Sequence, residues 1–147
     1  MLKERLNKVL KIDPIEMVRE ILSDRDILIW VAEANKGQLK EGTNSLGEKL
    51  SSIGGEYSPI TLDINPTKVA DVVTLYDKGD FYKTIIAQSI IGGLEINANP
   101  MKIEDSGFRV NLYNRWGKDI LGLNEENLQK LIDKVKNKLI AKIRKEI

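Results

Sequence analysis

The chain has 147 residues, enough for one domain with a real core; 44 are Leu, Ile or Val and only 5% are aromatic. It contains neither cysteine nor histidine, which excludes a disulfide framework, a thiolate metal site, the usual general base and the commonest metal ligand. With 23 basic and 22 acidic residues the net charge is +1, too near neutrality for a strong general DNA binder, and no run of about 18 apolar residues marks a membrane span.

From the start, residues 2–11 read as a short helix with Leu2, Leu6, Val9 and Leu10 on one side. The opening Met-Leu-Lys-Glu-Arg-Leu lacks an apolar signal core, so the expectation is a soluble chain, cytoplasmic when made, with no membrane partner. A second helix starts where Asp13 can cap, Pro14 suits the first helical position and Glu16 follows three residues after the cap. Its face is Ile15, Val18, Ile21 and Leu22. Ser23 or Asp24 opens a third helix, with the stripe Ile27 or Leu28, Val31, Ala34 or Asn35, and Leu39. Trp30 beside that stripe fits a core or groove-filling aromatic better than a ligand-stacking one.

From Gly42 to Pro66 the periodicity breaks. Thr43-Asn-Ser45, Gly47, Ser51-Ser-Ile-Gly-Gly55, Ser58-Pro59 and Asn65-Pro66 are turn chemistry, and predict a long loop over 42–66 of the kind that carries function or flexibility. Val69 to Tyr76 is β-branched and predicts a strand or extended segment. Tyr82 to Ile91 predicts a strand, Gly92-Gly93 a tight turn, and Leu94-Glu-Ile-Asn-Ala98 the return strand, with Leu94, Ile96 and Ala98 inward and Glu95 and Asn97 outward. Asn99-Pro100 ends it. Phe108 to Trp116 fits either a short strand or a helical turn.

Asn124 caps a final helix whose first turn carries Glu125 and Glu126 and whose end carries Lys142, Arg144 and Lys145, as the helix dipole favours. Its stripe is Leu128, Leu131, Ile132, Val135, Leu139, Ile143 and Ile147. Charge is uneven along the chain: residues 28–101 carry −3, from six basic and nine acidic side chains, and residues 102–147 carry +4, from eleven and seven. The basic helix reads as a solvated face able to touch anionic surfaces locally. Together these elements predict an α+β fold in a single domain over 1–147. It has N-terminal helices over 1–41, the loop over 42–66, and over 67–147 a small antiparallel β-sheet with a central hairpin, then the long C-terminal amphipathic helix.

Catalytic chemistry has little to work with. Asp71, Asp77 and Asp80 lie close together, but the Gly and terminal Glu of a calcium loop are missing, and Asp77-Lys-Gly-Asp80 more simply makes a turn. Gly117-Lys118 is followed by Asp119, so no phosphate-binding loop forms. Ser58 and Thr61 have no histidine to activate them and no Gly-x-Ser-x-Gly elbow. Tyr57, Tyr76, Phe81, Tyr82 and Tyr113 form no basic–aromatic ladder for single strands, and suit core or interface packing. No enzyme activity, cofactor or metal is expected.

Leu75-Tyr-Asp-Lys-Gly-Asp-Phe-Tyr-Lys-Thr84 resembles the Leu-x-x-Thr-Gly-x-Leu-x-x-Ser signature of the virion-morphogenesis proteins of tailed bacteriophages, which are neck, head-completion or tail-completion proteins. Gly79, Phe81 and Thr84 take the Gly, apolar and hydroxyl positions, while Lys78 departs from the Thr. The following hairpin over Ile85–Ala98, then Tyr113-Asn-Arg-Trp-Gly117, then Ile120-Leu-Gly-Leu-Asn-Glu-Glu126 leading into the last helix, are similar to that family's order; its Pro-x-Arg is absent, with Gly117-Lys118-Asp119 there instead. Upstream, Asn35-Lys-Gly-Gln-Leu39, Gly42-Thr-Asn-Ser-Leu-Gly47 and Tyr57-Ser-Pro-Ile-Thr61 resemble a variant in phages and prophages of Bacteroidetes, including crAss-like phages.

The resemblance implies a structural virion protein at the head–tail junction, made in the host cytoplasm. It would be a neck, connector or tail-completion subunit in a homo-oligomeric ring of roughly six or twelve copies. Its partners would be portal, adaptor or tail proteins, with genomic DNA passing nearby without specific binding. Candidate interface residues are Tyr57, Phe81, Tyr82 and Trp116, with Lys134, Lys138 and Lys142 of the terminal helix. The alternative is a small adaptor that binds nucleic acid or a host protein through that basic helix.

Overall fold

In a computed structural model that describes residues 1–103 and 106–147, the chain is α+β, with helices at both ends and two small antiparallel β-hairpins between them. The helices are α1 (Leu2–Leu10), α2 (Pro14–Leu22), α3 (Arg25–Lys40), α4 (Leu50–Gly54), α5 (Pro59–Ile64), α6 (Asp80–Thr84), α7 (Leu112–Trp116) and α8 (Glu125–Glu146). The strands are β1 (Ile86–Ile90), β2 (Gly93–Asn97), β3 (Met101–Ile103) and β4 (Arg109–Asn111), and a 3-10 turn spans Lys118–Ile120. No helix among the described residues is long and apolar enough to cross a membrane.

The strongest local signals produce the expected elements. Asp13 Oδ1 accepts from the N–H groups of Ile15 (3.0 Å) and Glu16 (3.2 Å), with Pro14 at the first position, and so starts α2. Asn124 Oδ1 accepts from Asn127 N (2.9 Å) and starts α8. Helix α3 is the organising element, because two hydrophobic clusters lie along it. Its Ile27 and Val31 pack with Ile21 of α2 and Leu131 of α8; its Ala32 and Leu39 pack with Leu50, Val73, Phe81, Tyr82, Ile85, Leu112, Trp116 and Ile120. Ala87 and Ile96 of the β1–β2 hairpin touch both clusters. Leu94 and Ala98 also pack inward and Glu95 is exposed, as predicted, whereas Asn97, expected outward, is half-buried.

Several expectations are corrected. The segment 42–66 is not a long loop: Leu50 is fully buried and opens α4, Ser58 and Pro59 cap and start α5, and Thr43 bridges Lys49. Ser-Pro here is a helix-start signal, since Ser58 Oγ accepts from Thr61 N (3.2 Å). Val69 to Tyr76 forms no strand. Its Thr74 N–H donates to the Tyr57 hydroxyl (3.0 Å) and its Thr74 carbonyl accepts from the Tyr82 hydroxyl (2.6 Å), so tyrosines occupy the groups a neighbouring strand would take. Leu75 turns the chain with φ 57°, the left-handed region.

The strand predicted over Tyr82–Ile91 is shorter. Asp80–Thr84 is helical, started by Gly79 at φ 82°, and only Ile86–Ile90 pairs with β2. Ile90 faces Gly93 in register, so the two-residue turn is Ile91-Gly92, with Gly92 at φ 91°. Phe108 to Trp116 contains both alternatives, β4 and then α7. The stripe of α8 is covered in part: Leu131 is buried, Val135, Leu139 and Ile143 are half-buried, and Leu128, Ile132 and Ile147 stand exposed. Helix α1 buries no side chain at all.

Candidate functional site

The residues that carried the family resemblance sit chiefly in the architecture. Asn35 and Gln38, one turn apart on α3 and buried, hold the Ile120–Asn127 segment by their carboxamides. Asn35 Nδ2 donates to the Ile120 carbonyl (2.9 Å) and its Oδ1 accepts from Gly122 N (2.8 Å). Gln38 Nε2 donates to the Gly122 carbonyl (2.9 Å), while its Oε1 accepts from Asn124 N and Asn127 Nδ2, both at 2.8 Å. The chain thus crosses a buried helix face with the Ile120 and Gly122 carbonyls and the Gly122 and Asn124 N–H groups paired to side chains. Asn44, also buried, does the same for its own turn by accepting from Leu46 N (3.0 Å) and Glu48 N (2.9 Å). Ser45 N donates to the Asp119 carbonyl (2.8 Å), which joins that turn to the same segment.

The predicted interface aromatics separate. Phe81 and Tyr82 are core residues, with rings edge-to-face at 6.4 Å, and Trp116 is buried against Gly54; all three belong to one hydrophobic cluster and expose little surface. The Tyr82 hydroxyl is pushed above its ordinary range, first by burial and then by Tyr57 and Tyr76 nearby. Tyr57 is half-buried and lines a cavity of about 290 Å³ with Tyr76, Lys68, Lys102, Arg115 and an edge of Trp116. Two of the cations there already rest on rings: Lys68 Nζ lies 4.6 Å from the Tyr57 centroid and the Arg115 guanidinium 4.5 Å from that of Trp116. Arg115 Nε also donates to the Gly54 carbonyl (2.6 Å), and Lys102 pairs with Asp77 at 3.5 Å.

The three lysines do come together, along one face of α8, but that face meets the α2–α3 corner. Lys134 Nζ lies 5.3 Å from the Trp30 ring, Lys138 pairs with Asp26 (2.8 Å) and Asp24 (3.6 Å), and Lys142 pairs with Glu20 (3.4 Å). The Lys138 contact holds the Asp26 carboxyl below its ordinary value and raises the Lys138 ammonium. No grouping of three or more carboxylates suited to a metal occurs among the described residues, and Asp71, Asp77 and Asp80 stay apart in that sense.

Sequence reasoning placed Asn35 at an alternative stripe position, Asn35 and Gln38 in a resembling motif and Asn44 among turn residues, but gave their carboxamides no bonding role and did not single out Asn127. The signal available was polar side chains at core spacing on α3, where an amide has to find backbone to bond. Comparison with protein-family models, curated proteins and solved structures finds no match to this chain.

The surface is unusually extensive and carries many exposed apolar side chains. The accessible area is 10043 Å², against about 7,600 Å² for a compact monomer of this mass. Leu2, Leu6 and Leu10 of α1, Ile60 and Ile64 of α5, Ile86, Ile90 and Ile91 of the hairpin, and Ile132 and Ile140 of α8 are all exposed. Among the described residues β1 and β2 pair only with each other, so each leaves one edge without a strand partner.

Proposed function

We propose that the chain is a structural subunit of a tailed-phage virion, one of the rings of the neck or tail-completion assembly that join portal to tail, and not an enzyme. The observation that carries this reading is the surface excess of roughly 2,400 Å² over a compact monomer. A ring subunit buries area against two neighbours, and a standard interface takes about 800 Å² from each partner. Exposed isoleucines on the hairpin and on α5, and leucines on α1, supply the apolar part of such contacts, and the open strand edges supply backbone pairing. The ordered sequence motifs shared with the virion-morphogenesis family give the assembly its identity. Engagement of Lys138 and Lys142 by acids of the same chain favours assembly over an adaptor that needs those cations for a partner. Near-neutral charge suits a channel through which DNA must slide.

Electron microscopy of particles of the encoding virus, with the chain labelled, tests this directly. Label at the head–tail junction is expected; mature particles that lack the chain would overturn the reading.

A further inference from the structure

We infer that α1 is a docking arm whose Leu2, Leu6, Val9 and Leu10 face seats in an apolar groove on a second copy of the chain. The inference rests on the assembly reading above and names the contact that builds it. Helix α1 has nine residues and buries none of them. Helix α1 touches α8 of its own chain without burying a side chain, and a helix shorter than roughly 12–15 residues is marginal in water, so the stability of α1 calls for a further apolar surface.

The groove, about 390 Å³, lies between α3, β2 and the start of α8. Val31 and Leu131 form its floor, and Leu94, Ile96, Leu123 and Leu128 its walls. A helix presenting aliphatic residues at i, i+4, i+7 and i+8 is the shape such a groove accepts.

Charge selects the same pairing. Between its leucines α1 carries Lys3, Arg5 and Lys8 against Glu4 alone. Glu95 lines the groove, and Glu125 and Glu126 stand beside it in the adjoining depression that shares Leu123. A basic arm thus meets an acidic rim.

Geometry assigns the groove to another copy. Helix α2 runs antiparallel to α8, with Asp24 and Asp26 beside Lys138 and Glu20 beside Lys142, so Pro14 points toward the far end of α8. From Lys142 back to Leu128 is about 21 Å along the helix. Pro14 stands six residues before Glu20, about 9 Å further along, so the groove begins roughly 30 Å from it. The connection at 11–13 adds at most about 10 Å and α1 about 14 Å, so α1 does not seat in its own groove. Arm and groove are different patches, which makes the contact head-to-tail and able to close a ring.

The absence of native cysteine makes the test clean. Leu6→Cys and Leu128→Cys, both at exposed positions, are made in separate full-length chains, mixed at high concentration and mildly oxidised, with mass followed by sedimentation. The expected product is the mixed disulfide, several-fold above either homodimer. It should be lost when the arm carries K3E, R5E and K8E, and restored when the partner carries E95K, E125K and E126K. Oligomers without the mixed disulfide would overturn the arm while leaving the ring reading intact. A chain monomeric at every concentration and free of cross-link overturns the arm as well, and the ring reading is then decided by the virion label. Binding of α1 to anionic phosphatidylserine vesicles with no cross-link would assign the face to lipid and overturn the inference.

Discussion

Gln38 and Asn124 meet through one oxygen: the buried Gln38 Oε1 accepts the Asn124 backbone N–H at the very start of α8, and the Asn127 side chain as well. The longest helix of the chain is therefore anchored by a side chain 86 positions earlier. Gln38→Leu leaves the Asn124 N–H and the Gly122 carbonyl without these partners in a closed site. A buried group left unpaired costs about 1–3 kcal/mol, so a loss of roughly 2–4 kcal/mol is expected. Urea unfolding should show a lower midpoint with an unchanged slope. Asn35→Leu should cost a similar amount, and the double variant less than the sum, since both residues hold Gly122.

Gly54 is set by Trp116. A Cβ at position 54 would stand 2.6 Å from the indole Cε2 and clash with its Nε1, which is buried without a hydrogen-bond partner. Gly54→Ala should destabilise by about 1–3 kcal/mol through overpacking. In a Trp116→Phe background the same change should cost less, because the ring that blocks it is smaller. Thermal unfolding of the four chains of this cycle measures the coupling.

These two sites mark the limit of what the sequence discloses. The caps at Asp13 and Asn124 and the alternation at Leu94–Ala98 are local, and each is legible within a few residues. Helices α4 and α5 were hidden inside an apparent loop because five or six residues show no period, and what fixes α4 is the burial of Leu50 by distant elements. The supposed strand near Thr74 depended on hydroxyls of Tyr57 and Tyr82, outside the segment itself. Among the candidate interface residues, Phe81, Tyr82 and Trp116 carry the composition of either core or interface, and only the three-dimensional contacts choose core. Lys134, Lys138 and Lys142 looked free because their partners, the Trp30 ring and the acids Asp24, Asp26 and Glu20, lie far upstream in the chain.

The seam between α8 and the α2–α3 corner should be electrostatically adjustable. Lys138→Glu places a carboxylate against Asp24 and Asp26, and Lys142→Glu places one against Glu20. Both side chains lie at the surface, half-buried and outside the hydrophobic clusters, so the core should survive while the second half of α8 loosens. Amide hydrogen exchange is expected to rise over 136–146 and to stay unchanged at α3, and added salt should reduce the difference between variant and parent. Acid should act in the same sense. The Asp26 carboxyl is held below its ordinary 3.8, so its contribution is present above that value and disappears as pH falls through the lower, folded one.

Alkali should unfold this chain by way of Tyr82. Burial, then the neighbouring Tyr57 and Tyr76, raises its hydroxyl above the ordinary 10.0, while in the unfolded chain it ionises near that value. The folded state therefore binds the proton longer. Stability is fully present below pH 10 and falls as pH climbs from there toward the folded value. Tyr82→Phe removes this dependence and also the hydrogen bond to the Thr74 carbonyl, so it should cost about 1–2 kcal/mol at neutral pH. Above pH 10 the parent should lose stability faster than the variant, and the two curves should converge. Tyr113 is shifted upward by burial too, so the variant retains a shallower alkaline decline. Urea midpoints measured from pH 7 to pH 11 test the point, and parallel curves for parent and variant would assign the alkaline loss elsewhere.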